Sequence, residues 1–187
     1  DYMDGYRIFT FNPQGFPDPK AVNRDLHLRG FHSVWMIDPG AKAETGYSVY
    51  DSGTANDVWV KTVDGKEYNG DAWPGKVAWP DFTDPKVCQW WGGLYKDFMA
   101  NGIDGIWNDM NEPSVFDGPG GTMPENNIHL GGGNLPIGSH LMYHNAYGRL
   151  MVEASYNGMM AANPGKRPFL LSRSNITVSY THLTLPT

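Results

Sequence analysis

The sequence predicts an α/β fold built on a parallel sheet, and three observations predict it. Strand-like and helix-like periodicities alternate along the chain, as they do in right-handed βαβ units. Short apolar runs each end at a charged side chain, in order Asp1 or Asp4, Asp38, Asp109 and Arg173. No glycine-rich phosphate turn follows the first of them, which removes the main signal of a doubly wound nucleotide-binding sheet. The pattern reads as a partial (β/α)8 TIM barrel, an architecture that gathers its functional groups at strand C-termini. A closed barrel takes about 250 residues, and this chain has 187.

The elements follow from local chemistry. Asp1 to Asn12 reads as the end of a strand and an aromatic-rich loop. Asp18-Pro19 has the form of a helix start, a capping carboxylate before a proline at the first helical position, and Gly30 is placed to end that helix. Phe31 to Asp38 is the second strand, broken by Pro39-Gly40. From Ala41 to Asp81 the periodicity disappears, giving a long insertion. Within it Val58–Val63 and Lys66–Tyr68 flank Asp64-Gly65, a hairpin signal. Trp73-Pro74-Gly75 and Trp79-Pro80 place tryptophans on loop.

Asp84-Pro85 repeats the helix start, and Val87, Trp90, Trp91, Leu94, Tyr95 and Phe98 form one apolar face at offsets of three and four. Gly102 ends that helix and Ile103 to Asn108 is the next strand. A loop from Pro113 to Pro136, a helix from about Ile137 to Ala161 and a strand from Pro168 to Ser172 complete the pattern.

Composition excludes several functions. The formal net charge is −6 and no Lys/Arg run occurs, so neither nucleic acid nor an anionic membrane surface is an expected partner. No apolar run approaches the roughly 18 residues of a membrane span. Cys88 is the sole cysteine, which rules out an intrachain disulfide and a thiolate zinc cluster. His140 and His144 have the spacing of a helical metal pair, but Leu141 stands where a zincin needs glutamate, so they are expected to be solvated or satisfied helix histidines. Gly131-Gly132-Gly133 lacks the Gly-Lys-Ser/Thr ending of a phosphate loop. No metal and no organic cofactor is implied. The aromatics, 13% of the chain with seven Trp and ten Tyr, offer flat apolar faces that suit core packing and sugar rings alike.

The stretch from Gly102 to Pro113 delivers Asp109 to the end of a buried strand, with Met110, Asn111 and Glu112 after it. Trp107-Asn108-Asp109-Met110-Asn111-Glu112-Pro113 resembles the nucleophile signature of glycoside hydrolase family 31. In the same order, Asp1-Tyr2-Met3-Asp4-Gly5-Tyr6, Met36-Ile37-Asp38-Pro39-Gly40, Trp73-Pro74-Gly75 and Leu171-Ser172-Arg173-Ser174 resemble that family's second strand, third strand end, insertion loop and fifth strand. The resemblance thus implies barrel strands two to five, with the hairpin-containing insertion after the third. It implies an oligosaccharide or glucoside substrate and retaining α-glucosidase chemistry, with Asp109 as nucleophile. Arg173, taken to lie two positions round the sheet from Asp109, and Asp1 would contact sugar hydroxyls, and Trp73 would form a pocket wall. Glu112 reads either as a supporting catalytic residue or as a loop acid bonding backbone amides. Asp38 reads either as a ligand contact or as a group orienting others, and Met110 either lines the pocket or packs.

The family's acid/base aspartate lies in a Gly-Asp-Asn stretch beyond the arginine strand, and no such tripeptide occurs in these 187 residues. The chain alone is therefore expected to be an inactive fragment, with residues 1–177 forming a partial catalytic barrel. Val178 to Thr187 carries no helical face, and a transposase-based sequencing adapter read in frame encodes the same residues. This tail is expected to be non-native, and the sequon Asn175-Ile176-Thr177 to carry no meaning. An α-xylosidase, a transglycosidase or a non-catalytic carbohydrate-binding relative are the alternatives.

Overall fold

The computed structural model describes residues 2–174. Asp1, the sequon and the adapter-like tail lie outside the described residues, as does the strand end expected at Asp1. Tyr2 to Asn12 is loop containing a 3-10 turn at Asp4–Tyr6.

Helix α1 (Pro19–Leu28) starts as the sequence dictates: Asp18 accepts a hydrogen bond from the Ala21 N–H at 2.8 Å, and Gly30 leaves the helix at φ 81°. Strand β1 (Val34–Ile37) follows, shorter than the run from Phe31. The insertion holds β2 (Ala41–Lys42), α2 (Ser48–Ala55), β3 (Asn69–Ala72) and β4 (Gly75–Ala78). Helix α2 is the element that periodicity missed. It has eight residues, no side-chain N-cap and a glycine inside, Gly53, where an added Cβ would stand 2.2 Å from the Trp59 ring.

The hairpin also differs from expectation. Around Asp64-Gly65 there is a turn closed by one isolated bridge, Lys61 to Glu67. The regular antiparallel ladder is the next one, β3 with β4, whose tip is Trp73-Pro74. Its β3 sequence, Asn69-Gly70-Asp71-Ala72, carries no apolar alternation that could announce a strand.

Helix α3 (Pro85–Met99) buries Val87, Trp91, Tyr95 and Phe98. After it come β5 (Gly105–Asn108), a two-residue ladder of β6 (Ile128–His129) with β7 (Gly138–Ser139), α4 (His140–Ala162) and β8 (Phe169–Ser172). Helices α3 and α4 meet at two glycines. An added Cβ on Gly158 would lie 2.6 Å from the Gly92 Cα, closer than any side chain tolerates. The Trp91 indole N–H and the Tyr95 hydroxyl both donate to Ser155 Oγ at 2.9 Å, which satisfies the polar atoms this close packing buries.

Strands β1, β5 and β8 form a parallel sheet in the order β1–β5–β8. Their register aligns Ile37 with Asn108 and Asn108 with Ser172. The next residue of each strand is Asp38, Asp109 and Arg173. Three charged side chains thus leave one edge of the sheet side by side.

Candidate active site

The sheet register places Arg173 on the strand next to Asp109, not two positions away, and the Arg173 N–H still donates to the Asn108 carbonyl at 3.0 Å. Arg173 Nε lies 3.1 Å from Asp109 Oδ1. The same guanidinium holds Glu112 in a two-pronged contact, Nε to Oε1 at 2.8 Å and Nη2 to Oε2 at 2.7 Å. One cation therefore serves two carboxylates. Its fork fits a carboxylate geometrically as well as electrostatically, and the hydrogen bond from Arg173 holds the Glu112 carboxyl below the usual glutamate range.

Asp109 is mostly enclosed, and its Oδ1 also accepts the Met110 N–H at 2.9 Å. Met110 sits at φ 53°, left-handed for a residue with a side chain, where the chain turns sharply out of β5. Such a conformation costs about 1–2 kcal/mol and persists only where surrounding contacts enforce it. Met110 is buried but stands outside the main apolar cluster.

Asp38 occupies a different environment. Burial first, then the negative charges of Asp109 and Glu112, push its carboxyl up to about 7, with Arg173 pulling in the other direction. Its Oδ1 is buried without a hydrogen-bond partner among the described residues. Asp38 lines a cavity of about 400 Å³ with Tyr2, Met3, Tyr6, Met36 and Trp73. Trp73, 57% exposed at the hairpin tip, meets Phe116 edge to face at 5.4 Å. Asp1 lies outside the described residues.

Two features escaped the sequence reading. Asn111 is fully buried and bonds across to Ser172 and Ser174 on either side of Arg173. Its position between Met110 and Glu112 was the available signal. The second feature is a buried polar chain. His129 Nδ1 is 2.8 Å from Asp81 Oδ1, His129 Nε2 is 3.1 Å from His140 Nδ1, and His140 Nε2 is 3.2 Å from Thr122 Oγ. Burial works to raise the Asp81 carboxyl, but hydrogen bonds from His129, Thr83 and Leu130 hold it below the usual range. Burial, with His129 and His144 nearby, drives His140 down to about 3. His140 is thus a satisfied helix histidine. Among the described residues no cluster of three or more His, Cys, Asp and Glu is arranged to hold a metal ion.

Three register-aligned charged residues at the C-terminal edge of a parallel sheet are the arrangement of a barrel enzyme's active face. The sequence model of the glycosyl hydrolases family 31 TIM-barrel domain matches residues 1–182. The chain belongs to glycosyl hydrolase family 31. Among curated relatives it is 45% identical over 176 residues to α-glucosidase 2 of Bacillus thermoamyloliquefaciens, covering 94% of this chain and 22% of that protein. It is 37% identical over 181 residues to the neutral α-glucosidase AB of Mus musculus, covering 93% of this chain and 18% of that protein. A crystal structure of a family 31 α-glucosidase from Bacteroides thetaiotaomicron superposes with a TM-score of 0.78 at 63% identity, over 94% of this chain and 27% of that one. The chain thus spans about a fifth to a quarter of the length of these proteins. The α/β class is as the sequence predicted, and it is that of a TIM-barrel domain. No helix among the described residues is long and apolar enough to cross a membrane.

Proposed function

We propose that this chain is the nucleophile-bearing part of a retaining α-glucosidase, in which β1, β5 and β8 are barrel strands three to five and Asp1 ends the second. The observation that carries the reading is the shared grip of Arg173 on Asp109 and Glu112 at the sheet edge. The names of the relatives, α-glucosidases at 37–45% identity, supply the substrate class.

Retaining hydrolysis uses two carboxyl groups about 5–5.5 Å apart, one attacking the anomeric carbon while the other protonates the leaving oxygen. Asp109 is assigned the attack. The Arg173 guanidinium and the Met110 N–H both lie against its Oδ1 and fix the direction of the carboxylate. Glu112 supports it through Arg173: it completes the fork that orients the guanidinium, leaving Nε within reach of Asp109. Asp38 Oδ1, buried beside the cavity without a hydrogen-bond partner among the described residues, is assigned a sugar hydroxyl. Below about pH 7 its carboxyl is protonated and donates that bond. Trp73 and Met110 are assigned to the pocket wall, and Asp1 to vicinal hydroxyls.

No acid/base carboxyl is assigned among the described residues, and the chain alone is expected not to turn over. Loss of leaving-group protonation alone removes about 10²–10⁴-fold in rate. In the full-length enzyme Asp109→Asn is expected to abolish hydrolysis of an aryl α-glucoside. NMR of the wild-type reaction should show the α-anomer of glucose first. Turnover by the Asn variant, or first release of the β-anomer, refutes the assignment.

A further inference from the structure

We propose that Asn111 is a positioning residue that fixes the backbone around Arg173 and so sets the guanidinium against both carboxylates; its catalytic meaning rests on the reading of Asp109 as nucleophile. The Asn111 Oδ1 accepts the Ser174 N–H at 3.0 Å, and Nδ2 donates to Ser172 Oγ at 2.9 Å. Ser172 Oγ in turn donates to the Ser174 carbonyl at 2.7 Å. The residues immediately before and after Arg173 are therefore bound to one carboxamide, while the Arg173 N–H is held by Asn108. Asn111 also sits one residue before Glu112. A single buried side chain ties the loop carrying both carboxylates to the segment carrying the cation that bridges them.

The site accepts little else at this position. The carboxamide must accept on one side and donate on the other, and the Ser172 hydroxyl proton is already committed to Ser174. An aspartate would keep the Ser174 bond but place its second oxygen against Ser172 Oγ and the Gly148 carbonyl, which Asn111 Nδ2 approaches at 3.5 Å. Helix α4 closes the node from behind. An added Cβ on Gly148 would meet Ser174 Oγ at 2.6 Å and the Asn111 carbonyl at 2.7 Å, so no side chain fits between helix and loop.

The readout is the titration of Glu112, which needs no substrate and no turnover. The Arg173 hydrogen bond holds the Glu112 carboxyl below the ordinary value of 4.5. In the 187-residue chain with ¹³C-labelled glutamate, Asn111→Ala is expected to move the Glu112 midpoint upward towards that value while the amide fingerprint remains folded. Asn111→Asp should do the same. Residues that merely pack would lower the unfolding midpoint and leave the Glu112 titration in place, so an unshifted Glu112 in a folded Asn111→Ala chain overturns the proposal. Ser172→Ala removes one Asn111 partner without touching the loop. It carries the same test if Asn111→Ala does not fold, with a smaller upward shift supporting the proposal and none overturning it. Failure of the nucleophile assignment would show in turnover by Asp109→Asn and leave these titrations as they are.

Discussion

Replacing Asp38 by asparagine should stabilise the chain, and only at neutral and alkaline pH. Asp38 is largely buried, and its carboxyl rises from the ordinary 3.8 to about 7. A group whose folded value lies above its unfolded one binds more protons in the folded state between the two. Its contribution to stability is therefore fully present below about pH 4 and is lost as pH rises through about 7. Each pH unit is about 1.4 kcal/mol, so the full shift corresponds to about 4 kcal/mol, reduced to about 2–3 kcal/mol by the carboxyl's partial access to water. The carboxamide introduced by Asp38→Asn has the same shape without the charge. Urea unfolding of Asp38→Asn and wild type, followed by tryptophan fluorescence at pH 4 and pH 8, should give a gain of about 2–3 kcal/mol at pH 8 and nearly none at pH 4. An equal difference at the two pH values would overturn the role of the buried charge, because a neutral packing effect has no cause to depend on pH. The full-length enzyme should lose activity with the same substitution, since stability gained by neutralising a strained functional group commonly costs function.

Two further outcomes follow from the packing and the buried polar chain. Gly158→Ala, which puts a methyl 2.6 Å from the Gly92 Cα, should destabilise the chain by about 1–3 kcal/mol, read as a lower unfolding midpoint at neutral pH. His140 falls from 6.5 to about 3, so the unfolded chain binds more protons between those values; its contribution is present above about pH 6.5 and is lost as pH falls. His140→Gln should therefore flatten the acid limb of the stability profile, removing a loss of about 2 kcal/mol between pH 7 and pH 5, as measured by denaturant unfolding at both.

The parts legible in the sequence were those whose cause is local. Asp18-Pro19 and Asp84-Pro85 start helices because capping is decided within a turn. The stripe from Val87 to Phe98 shows because one face of a long helix must be apolar to bury. Helix α2 and the β3–β4 ladder did not show, because their stability comes from elsewhere. Gly53 is required by the Trp59 ring six residues later, and the polar β3 is held by β4 and by the Asp71–Phe116 backbone contact. The Asp64-Gly65 signal was real as a turn, with Gly65 at φ 78°, but a turn does not determine how far a ladder extends beyond it.

The site divides in the same way. That Asp38, Asp109 and Arg173 end strands is a property of three separate segments, and a sequence can state it. That they stand in adjacent columns is a property of register, which pairing across 71 residues between Ile37 and Asn108 and 64 between Asn108 and Ser172 decides. Placing Arg173 one column nearer changes its chemistry. At two columns it could address only a substrate. At one column it meets the loop after β5, so its charge is divided between Asp109 and Glu112 before any sugar arrives. Such a division works only if the guanidinium is held against both carboxylates at once. Glu112 takes both prongs at 2.7–2.8 Å and Asp109 a single contact at 3.1 Å, so a small displacement of the segment carrying Arg173 loosens both. What keeps the guanidinium within reach of both is then the backbone on either side of Arg173. A buried carboxamide fixing Ser172 and Ser174 is the arrangement that such a divided charge requires.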